Sequence, residues 1–140
     1  MSLWMATLLV ATALHVGFQL TVTVLVYPAL VRTPASLWPK TQRQHSRAIV
    51  WPVVLVYGMV LLASASALWS APDTWWVWLS CGASAGAFAV TATRAAPLHG
   101  QLGRVGPEPD LLAALLLADR VRLALALVAM IGAIGALSTR

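Results

Sequence analysis

Apolar residues fill four long stretches of the chain, and prolines, glycines and charged residues separate them. The stretches run from about residue 3 to 27, 48 to 69, 75 to 96 and 111 to 137. Each exceeds the roughly 20 apolar residues that one helical crossing of a membrane requires. The pattern predicts an all-α protein in which residues 1–140 form a single integral membrane four-helix bundle.

Prolines divide the first half of the chain into helices. Pro28 and Pro34 end the first apolar stretch, because proline cannot continue a regular helix. A new helix can begin near Ser36, where Pro39 is tolerated in the first turn. Pro52 should kink this helix close to the start of the second apolar stretch.

Two further connections separate the later helices. The segment SAPDT at residues 70–74 predicts a short loop, and PLHGQLGRVGPEP at 97–109 predicts a longer one. Asp110 can then cap the last helix. That helix is roughly 40 Å long at 1.5 Å per residue, so we expect it to tilt or to protrude from the membrane.

The composition agrees with a membrane protein. Hydrophobic residues make up 60% of the chain and charged residues only 9%, whereas soluble domains contain about 25% charged residues. The net charge of +5 includes no basic, aromatic-interleaved patch, so we expect membrane lipids as partners and no nucleic acid. Cys81 is the single cysteine, which excludes a disulfide within the chain.

The basic residues predict the orientation of the bundle in the cell membrane. The connections after the first and third helices contain Arg32, Lys40, Arg43, Arg47, Arg94 and Arg104, whereas the opposite side contains only Arg140 near a helix end. Basic loops face the cytoplasm, so both termini should lie on the outer side. An interfacial aromatic belt fits the outer ends of the helices, which contain Trp4, Trp69, Trp75, Trp76 and Trp78.

Small residues recur along the later helices. Gly82 and Gly86 are four residues apart in CGASAGAFA, and IGAIGAL at 131–137 repeats Gly and Ala. Such residues let helix backbones approach closely, within one chain or between subunits. They predict tight packing, and they leave a homo-oligomer open.

One face of the first helix is polar. It contains Thr12, His15, Gln19 and Thr23, at spacings of three or four residues. Ionisable groups in a membrane are costly and usually line a site, a cavity or a buried hydrogen-bond network. We therefore expect this face to point into the bundle.

Three charges, Asp119, Arg120 and Arg122, lie within the apolar run LLLADRVRLALAL. His15 and Arg122 lie at similar predicted depths, roughly 18 and 17 Å from the cytoplasmic ends of their helices. We favour an internal ion pair of Asp119 with Arg122, with His15 and Gln19 as further partners. In the alternative, the helix enters the membrane near Asp119, and both arginines reach lipid phosphates.

The other two histidines belong to the polar connections at the cytoplasmic end. His45 precedes Arg47 and His99 follows Arg94, and a four-helix bundle can bring the two histidines together. They are either solvent-facing residues without a function, or a pair that binds a metal or acts as acid and base. One centre with all three histidines is not expected, because His15 lies well over 10 Å deeper and metal–nitrogen bonds are about 2 Å.

Four short motifs occur at these polar positions: YP at Tyr27 and Pro28, QRQHSR around His45, PLH at His99, and LLLADRVRLAL around Arg122. Together they resemble the anthrone-oxygenase-like family of small four-helix membrane proteins, over most of the chain. Arg122 corresponds to an arginine that this family tends to carry in an Asn-Trp-x-Arg-like motif.

The resemblance implies oxidation of a reduced polycyclic aromatic substrate by molecular oxygen, without a required metal or flavin. His45 or His99 would be the base, and Arg122 would stabilise the enolate. His15 would orient groups or relay protons, and Asp119 would pair with the arginine. The candidate substrate-binding residues are Gln19, Tyr27, Arg47 and Arg94.

We therefore expect a membrane-embedded oxidoreductase that acts on a small hydrophobic substrate through a His/Arg site open to the cytoplasmic side. The cofactor is left open, with His45 and His99 as the candidate metal ligands. The alternative is a non-catalytic membrane subunit or lipid-binding module, in which Asp119 and Arg122 have a structural role. The oxidoreductase and the non-catalytic module differ in whether the protein binds a hydrophobic polycyclic ligand.

Overall fold

The computed structural model describes residues 1–138, whose regular structure is entirely helical. In chain order the elements are α1 (Leu3–Thr21), a π-helical turn (Val22–Val26), α2 (Tyr27–Val31), α3 (Trp38–Ala48), α4 (Val50–Ser70), α5 (Trp75–Val90), a second π-helical turn (Thr91–Ala95), α6 (Ala96–Val105) and α7 (Pro109–Leu137). They join into four rods that correspond to the four predicted helices: α1 with α2, α3 with α4, α5 with α6, and α7. Arg140, the basic residue predicted on the outer side, lies outside the described residues.

The four rods form a bundle in which each rod packs against two neighbours. α1 contacts α4 and α7, and α5 contacts the same two helices. Two apolar clusters fill the ends of the bundle, one around Leu8, Ala67 and Val77 and the other around Trp38 and Leu102. Buried polar residues of α1 and α7 lie between the clusters, so the bundle contains a polar layer between two apolar ones.

Each π-helical turn comes directly before a helix with proline in its second position. Pro28 and Pro97 have no N–H, so the carbonyl four residues earlier in each rod lacks its helical hydrogen-bond partner. The wider π-helical turn accommodates this loss without ending the rod. The prediction that Pro28 ends the first helix at Tyr27 was therefore wrong, since the helix continues to Val31.

The predicted loop at residues 97–109 was also wrong. Most of it forms α6, which leaves residues 106–108 between α6 and α7. Leu102 is fully buried, and Trp38 Nε1 donates a hydrogen bond to its carbonyl oxygen at 3.0 Å. These tertiary contacts outweigh the low helix propensity of the glycines in this segment.

The start of α7 differs from the prediction as well. α7 begins at Pro109, and the residue in its N-cap position is Glu108, with no side-chain capping bond. Asp110 lies in the first turn, where a carboxylate stabilises the helix through the dipole instead of through a cap.

The second rod is interrupted where Pro52 was predicted to kink it. α3 ends at Ala48 and α4 begins at Val50, with Ile49 in a turn conformation between them. Pro52 cannot donate a hydrogen bond to the carbonyl of Ala48, which explains the position of the break.

Small residues hold α5 and α7 close together, as IGAIGAL predicted. A Cβ added to Gly132 would lie 2.7 Å from the backbone nitrogen of Ser80, and one added to Gly135 would overlap the ring of Trp76. Gly82 does not contribute to this contact, because it is exposed and an added Cβ would meet nothing within 4 Å. The closest approach therefore depends on the glycines of α7.

Within residues 1–138, two helices are long and apolar enough to cross a membrane, Leu3–Val31 and Trp38–Ser70. In their most apolar windows only 28% and 22% of the residues are buried inside the bundle, so their outer faces are largely exposed hydrophobic surface. Exposed apolar patches of this kind are typical of surfaces that contact a partner or a membrane.

Candidate acid-base site

A hydrogen-bonded network links α1, α2 and α7 in the middle of the bundle. Gln19 Nε2 donates to Asp119 Oδ1 at 2.6 Å, and Arg122 Nη2 donates to the same oxygen at 3.0 Å. Arg122 Nη2 also donates to the hydroxyl oxygen of Tyr27 at 3.0 Å. All four side chains are buried, which agrees with the favoured interpretation of an internal ion pair. Arg120, the residue that follows Asp119, is exposed.

Local sequence explains part of this network. Asp119 and Arg122 are three residues apart on α7, so they lie on the same helical face. The π-helical turn before Tyr27 allows the rod to continue past Pro28, and Tyr27 is buried against α7. One ion pair thereby connects the polar face of α1 with the end of the bundle that contains the basic residues.

His99 on α6 extends the network, and its bonds determine which nitrogen has the proton. Gln42 Nε2 lies 3.2 Å from the carbonyl oxygen of His99 and 3.3 Å from its Nδ1. A carbonyl oxygen can only accept, so Gln42 presents its NH₂ group here and Nδ1 accepts as well. Neutral His99 therefore carries its proton on Nε2, which lies 3.1 Å from the Tyr27 oxygen and donates to it.

The Tyr27 hydroxyl consequently accepts two hydrogen bonds, from His99 Nε2 and from Arg122 Nη2. Neither bond uses the hydroxyl's own proton, and the hydrogen bonds described among residues 1–138 give it no acceptor. The Tyr27 proton is thus left without an acceptor among the described residues.

His45 on α3 is half-buried and lies beside His99 and Tyr27. Its ring centroid is 5.2 Å from that of His99 and 6.2 Å from that of Tyr27. Its Nε2 is buried without a hydrogen-bond partner in the described chain. Of the two histidines proposed as the base, His45 has the free nitrogen, whereas both nitrogens of His99 are engaged.

Both histidines are held in the neutral form that a base requires. Burial, and after it the positive charges of His45 and Arg122, lowers the pKa of His99 to about 4. Burial also lowers the pKa of His45. At neutral pH both imidazoles are therefore neutral, and of the two only His45 has a ring nitrogen known to lack a hydrogen-bond partner among the described residues.

His15 is buried in the bundle, as its polar face predicts, but it makes no hydrogen bond to the ion pair. It is fully buried, but neither ring nitrogen has a hydrogen-bond partner among the described residues. Its ring packs edge-on against Tyr57 of α4, with centroids 5.0 Å apart. Of the two predicted partners of the ion pair, Gln19, one turn further along α1, makes the hydrogen bond, whereas His15 interacts with Arg122 only through its charge.

The arginines proposed to bind substrate lie outside the network. Arg47 and Arg94 are exposed at the end of the bundle that contains His45 and His99. Within residues 1–138 no group of three or more His, Cys, Asp or Glu side chains is arranged to hold a metal ion. The histidine pair is thus the part of the predicted constellation that the fold brings together with Tyr27 and Arg122.

Sequence reasoning missed Gln42 and Tyr57. Gln42 sets the tautomer of His99, and Tyr57 covers His15 while its hydroxyl lies 2.8 Å from Thr91 Oγ1. Gln42 stands in the quoted segment QRQHSR, three residues before His45, so helical spacing places the two on related faces. Tyr57 gave no signal, since an isolated Tyr in an apolar helix is most simply a packing residue.

The chain was compared with protein-family models, with curated proteins and with solved structures, and none of the three comparisons found a match. The geometry of the site is therefore the basis on which its function is argued.

Proposed function

We propose that the protein is a multi-pass cell-membrane protein with four crossings and both termini on the outer side. The exposed apolar faces of Leu3–Val31 and Trp38–Ser70 support insertion, because water would solvate them poorly. The histidine end of the bundle has exposed basic residues, including Arg43, Arg47, Arg94 and Arg104. The opposite end has the exposed indoles of Trp69 and Trp75, as expected at a membrane interface.

We infer that the basic end contains an acid-base site of an oxidoreductase that acts on a small hydrophobic substrate. His45 is the base, through its unpaired Nε2. Tyr27 donates its free proton to a carbonyl oxygen of the substrate, and Arg122 and His99 position Tyr27. Asp119 and Gln19 in turn hold the arginine.

The chemistry that suits His45 and Tyr27 together is removal of a proton from a carbon next to a carbonyl group. His45 Nε2 takes the proton of an acidic C–H, and negative charge develops on the carbonyl oxygen that accepts from Tyr27. Molecular oxygen oxidises the resulting enolate, so that a CH₂ group and O₂ become a C=O group and one water. A polycyclic aromatic ketone such as an anthrone, which the resemblance implies, has the required acidic CH₂.

The observation that supports this function most directly is that two neighbouring groups are complementary, one with an unused proton and the other with an unused nitrogen. Tyr27 oxygen accepts two donors and keeps a free proton, while His45 nearby keeps a free nitrogen. A purely structural network would be expected to use these groups, because buried polar atoms are normally hydrogen-bonded.

Oxygen consumption with anthrone as the probe substrate tests the proposal. The full chain in detergent micelles should consume one O₂ per quinone formed. His45→Gln and Tyr27→Phe should each lower the rate by roughly 10²-fold or more. Gln44→Ala, at an exposed neighbour of His45, should leave the rate unchanged. A wild-type rate equal to that of empty micelles would contradict the proposed activity.

The second candidate function is a non-catalytic lipid-binding module or membrane subunit. The exposed rim of Arg43, Arg47 and Arg94 favours it, since such residues attract anionic headgroups. Its expected result is binding of anionic lipid that depends on these arginines, together with no dependence on His45 or Tyr27. The anthrone assay and a lipid-binding assay on the same variants therefore separate the two functions.

A further inference from the structure

The acid-base site marks one height along the axis of the bundle. Contacts between side chains join Tyr27, His45, His99 and Arg122, and each of these residues belongs to a different one of the four rods. Positions on separate rods can therefore be compared by their distance from the site along each helix.

Three exposed arginines lie close to this height. They are Arg47, Arg94 and Arg120, which together form what we call the arginine belt. Along their own rods they are two, five and two residues from the site residue of the same rod. At 1.5 Å per residue each lies within roughly 8 Å of the site along the axis. Among residues 1–138, none of the three has an ion-pair partner.

The apolar part of the bundle begins at the arginine belt and has the thickness of a membrane. Arg47 lies roughly 33 Å from Trp69 along its rod, and Arg94 lies roughly 28 Å from Trp75. Neither stretch contains another charged residue. Both tryptophans are exposed, as expected of anchors at a membrane interface. The separation of the belt from the indoles thus agrees with a hydrocarbon core of about 30 Å.

On the other side of the belt lies a further layer of helix, formed by α3, α6 and residues 109–118 of α7. We call it the projecting layer. α3 packs against α6, and α6 packs against α7, around an apolar core that includes Trp38, Leu102 and Leu115. The exposed surface of the layer includes Lys40, Arg43, Arg104 and Asp110. An apolar core beneath a charged surface is typical of protein that lies in water.

We propose that the arginine belt binds lipid phosphate groups at the membrane surface and that the projecting layer lies in the aqueous phase. This role rests on the proposed membrane insertion, and it is compatible with both candidate functions. An exposed guanidinium beside an apolar run is stabilised when it reaches the phosphates. Arg120 then marks the entry of α7 into the membrane, whereas Arg122 pairs with Asp119 inside the bundle. Because residues 109–118 lie outside the hydrocarbon core, α7 can be longer than one crossing.

Two cysteines at equal distances from Arg120 test the boundary. In a Cys81→Ala background, Ala113→Cys lies seven residues before Arg120 and Leu127→Cys seven residues after it, on the same exposed face of α7. In nanodiscs, where both membrane surfaces are accessible, a charged maleimide should label Ala113→Cys as fast as the aqueous control Gly103→Cys. Leu127→Cys should react at least about 10-fold more slowly, because the hydrocarbon core excludes a charged reagent.

The two possible failures of this labelling are distinguishable. Slow labelling of both Ala113→Cys and Leu127→Cys would place the start of α7 inside the bilayer and overturn the projecting layer. Rapid labelling of both would overturn membrane insertion itself, and the belt with it.

Binding of phosphatidylglycerol to the detergent-solubilised full chain, measured by native mass spectrometry, tests the arginines. Arg94→Gln with Arg120→Gln should weaken binding about 5-fold for each arginine removed. Lys40→Gln with Arg104→Gln removes the same charge from the projecting layer and is the matched control. Its effect should be much smaller, because these positions lie about 10 and 15 Å beyond the belt and salt screens charges over about 8 Å.

A loss confined to the belt variant would support the proposal. Equal losses in the two double variants would overturn it in favour of a general effect of net charge. Displacement of the lipid by inorganic phosphate at constant ionic strength would assign the arginines to a soluble anion and would overturn it as well.

Discussion

Gln19 Nε2 lies 2.6 Å from Asp119 Oδ1, the same carboxylate oxygen that Arg122 contacts at 3.0 Å. One buried oxygen thus accepts hydrogen bonds from α1 and from α7. The contact holds the two helices in register at the middle of the bundle. It also answers why two charges are tolerated in an apolar run, because each has a polar partner inside the bundle.

Removal of the carboxylate should strongly destabilise the protein. Asp119→Ala leaves Arg122 buried without its counter-ion, which typically lowers the free energy of unfolding by about 3 to 5 kcal/mol. Combining it with Arg122→Leu should recover part of the loss, since the unpaired charge is then absent. Denaturation in detergent measures the effect, with exposed Asp110→Ala as the control on the same helix. A silent Asp119→Ala would contradict burial of the pair.

Gln19 and His15 should respond differently to the same substitution, although both are fully buried on α1. Gln19→Leu removes a donor from Asp119 and should cost about 1 to 3 kcal/mol. His15→Leu removes two nitrogens without partners and should be nearly neutral or stabilising. Unfolding of the two variants side by side measures the contrast, and equal losses would argue against these separate roles.

Stability should fall as the pH decreases from about 6.5 to about 4. Burial and nearby positive charge lower the pKa of His99 to about 4 in the folded protein, below its ordinary value of 6.5. The unfolded chain therefore binds more protons in this window, which favours unfolding there. Above pH 6.5, the pKa of this histidine in the unfolded chain, His99 is neutral in both states and the loss of stability is absent. Thermal unfolding across pH measures the loss, and His99→Gln should reduce it.

Two glycine-to-alanine substitutions should have opposite effects on the free energy of unfolding. Gly132→Ala places a Cβ 2.7 Å from the Ser80 backbone nitrogen and should cost about 1 to 3 kcal/mol. Gly82→Ala meets nothing within 4 Å and should gain up to about 1 kcal/mol in helix propensity. The same denaturation measurement applies to both, and a harmless Gly132→Ala would contradict the close approach.

Cysteine labelling tests the proposed orientation. In a Cys81→Ala background, Gln44→Cys and Gly103→Cys report on the basic end and Asp73→Cys on the opposite end, all at exposed positions. An impermeant maleimide should label intact cells at position 73, and should label positions 44 and 103 only after permeabilisation. The reverse pattern would place the basic end outside.

Much of the architecture follows from local sequence. Apolar runs longer than a membrane crossing predict the four rods, and the polar spacing on the first helix predicts the buried face that contains His15 and Gln19. The pairing of Asp119 with Arg122 is also local, because residues three apart on one helix are neighbours whatever surrounds them. Propensity was misleading at residues 97–109, where burial of Leu102 maintains a helix despite two glycines.

The site itself depends on tertiary structure. Periodicity places Gln19 and His15 on one face, but the rotation and register of α1 against α7 select Gln19 as the partner of Asp119. The link from Tyr27 to His99 joins residues 72 apart, through two π-helical turns that no hydrophobic pattern encodes. Sequence spacing determines faces within a helix, whereas contacts between helices depend on how their surfaces pack.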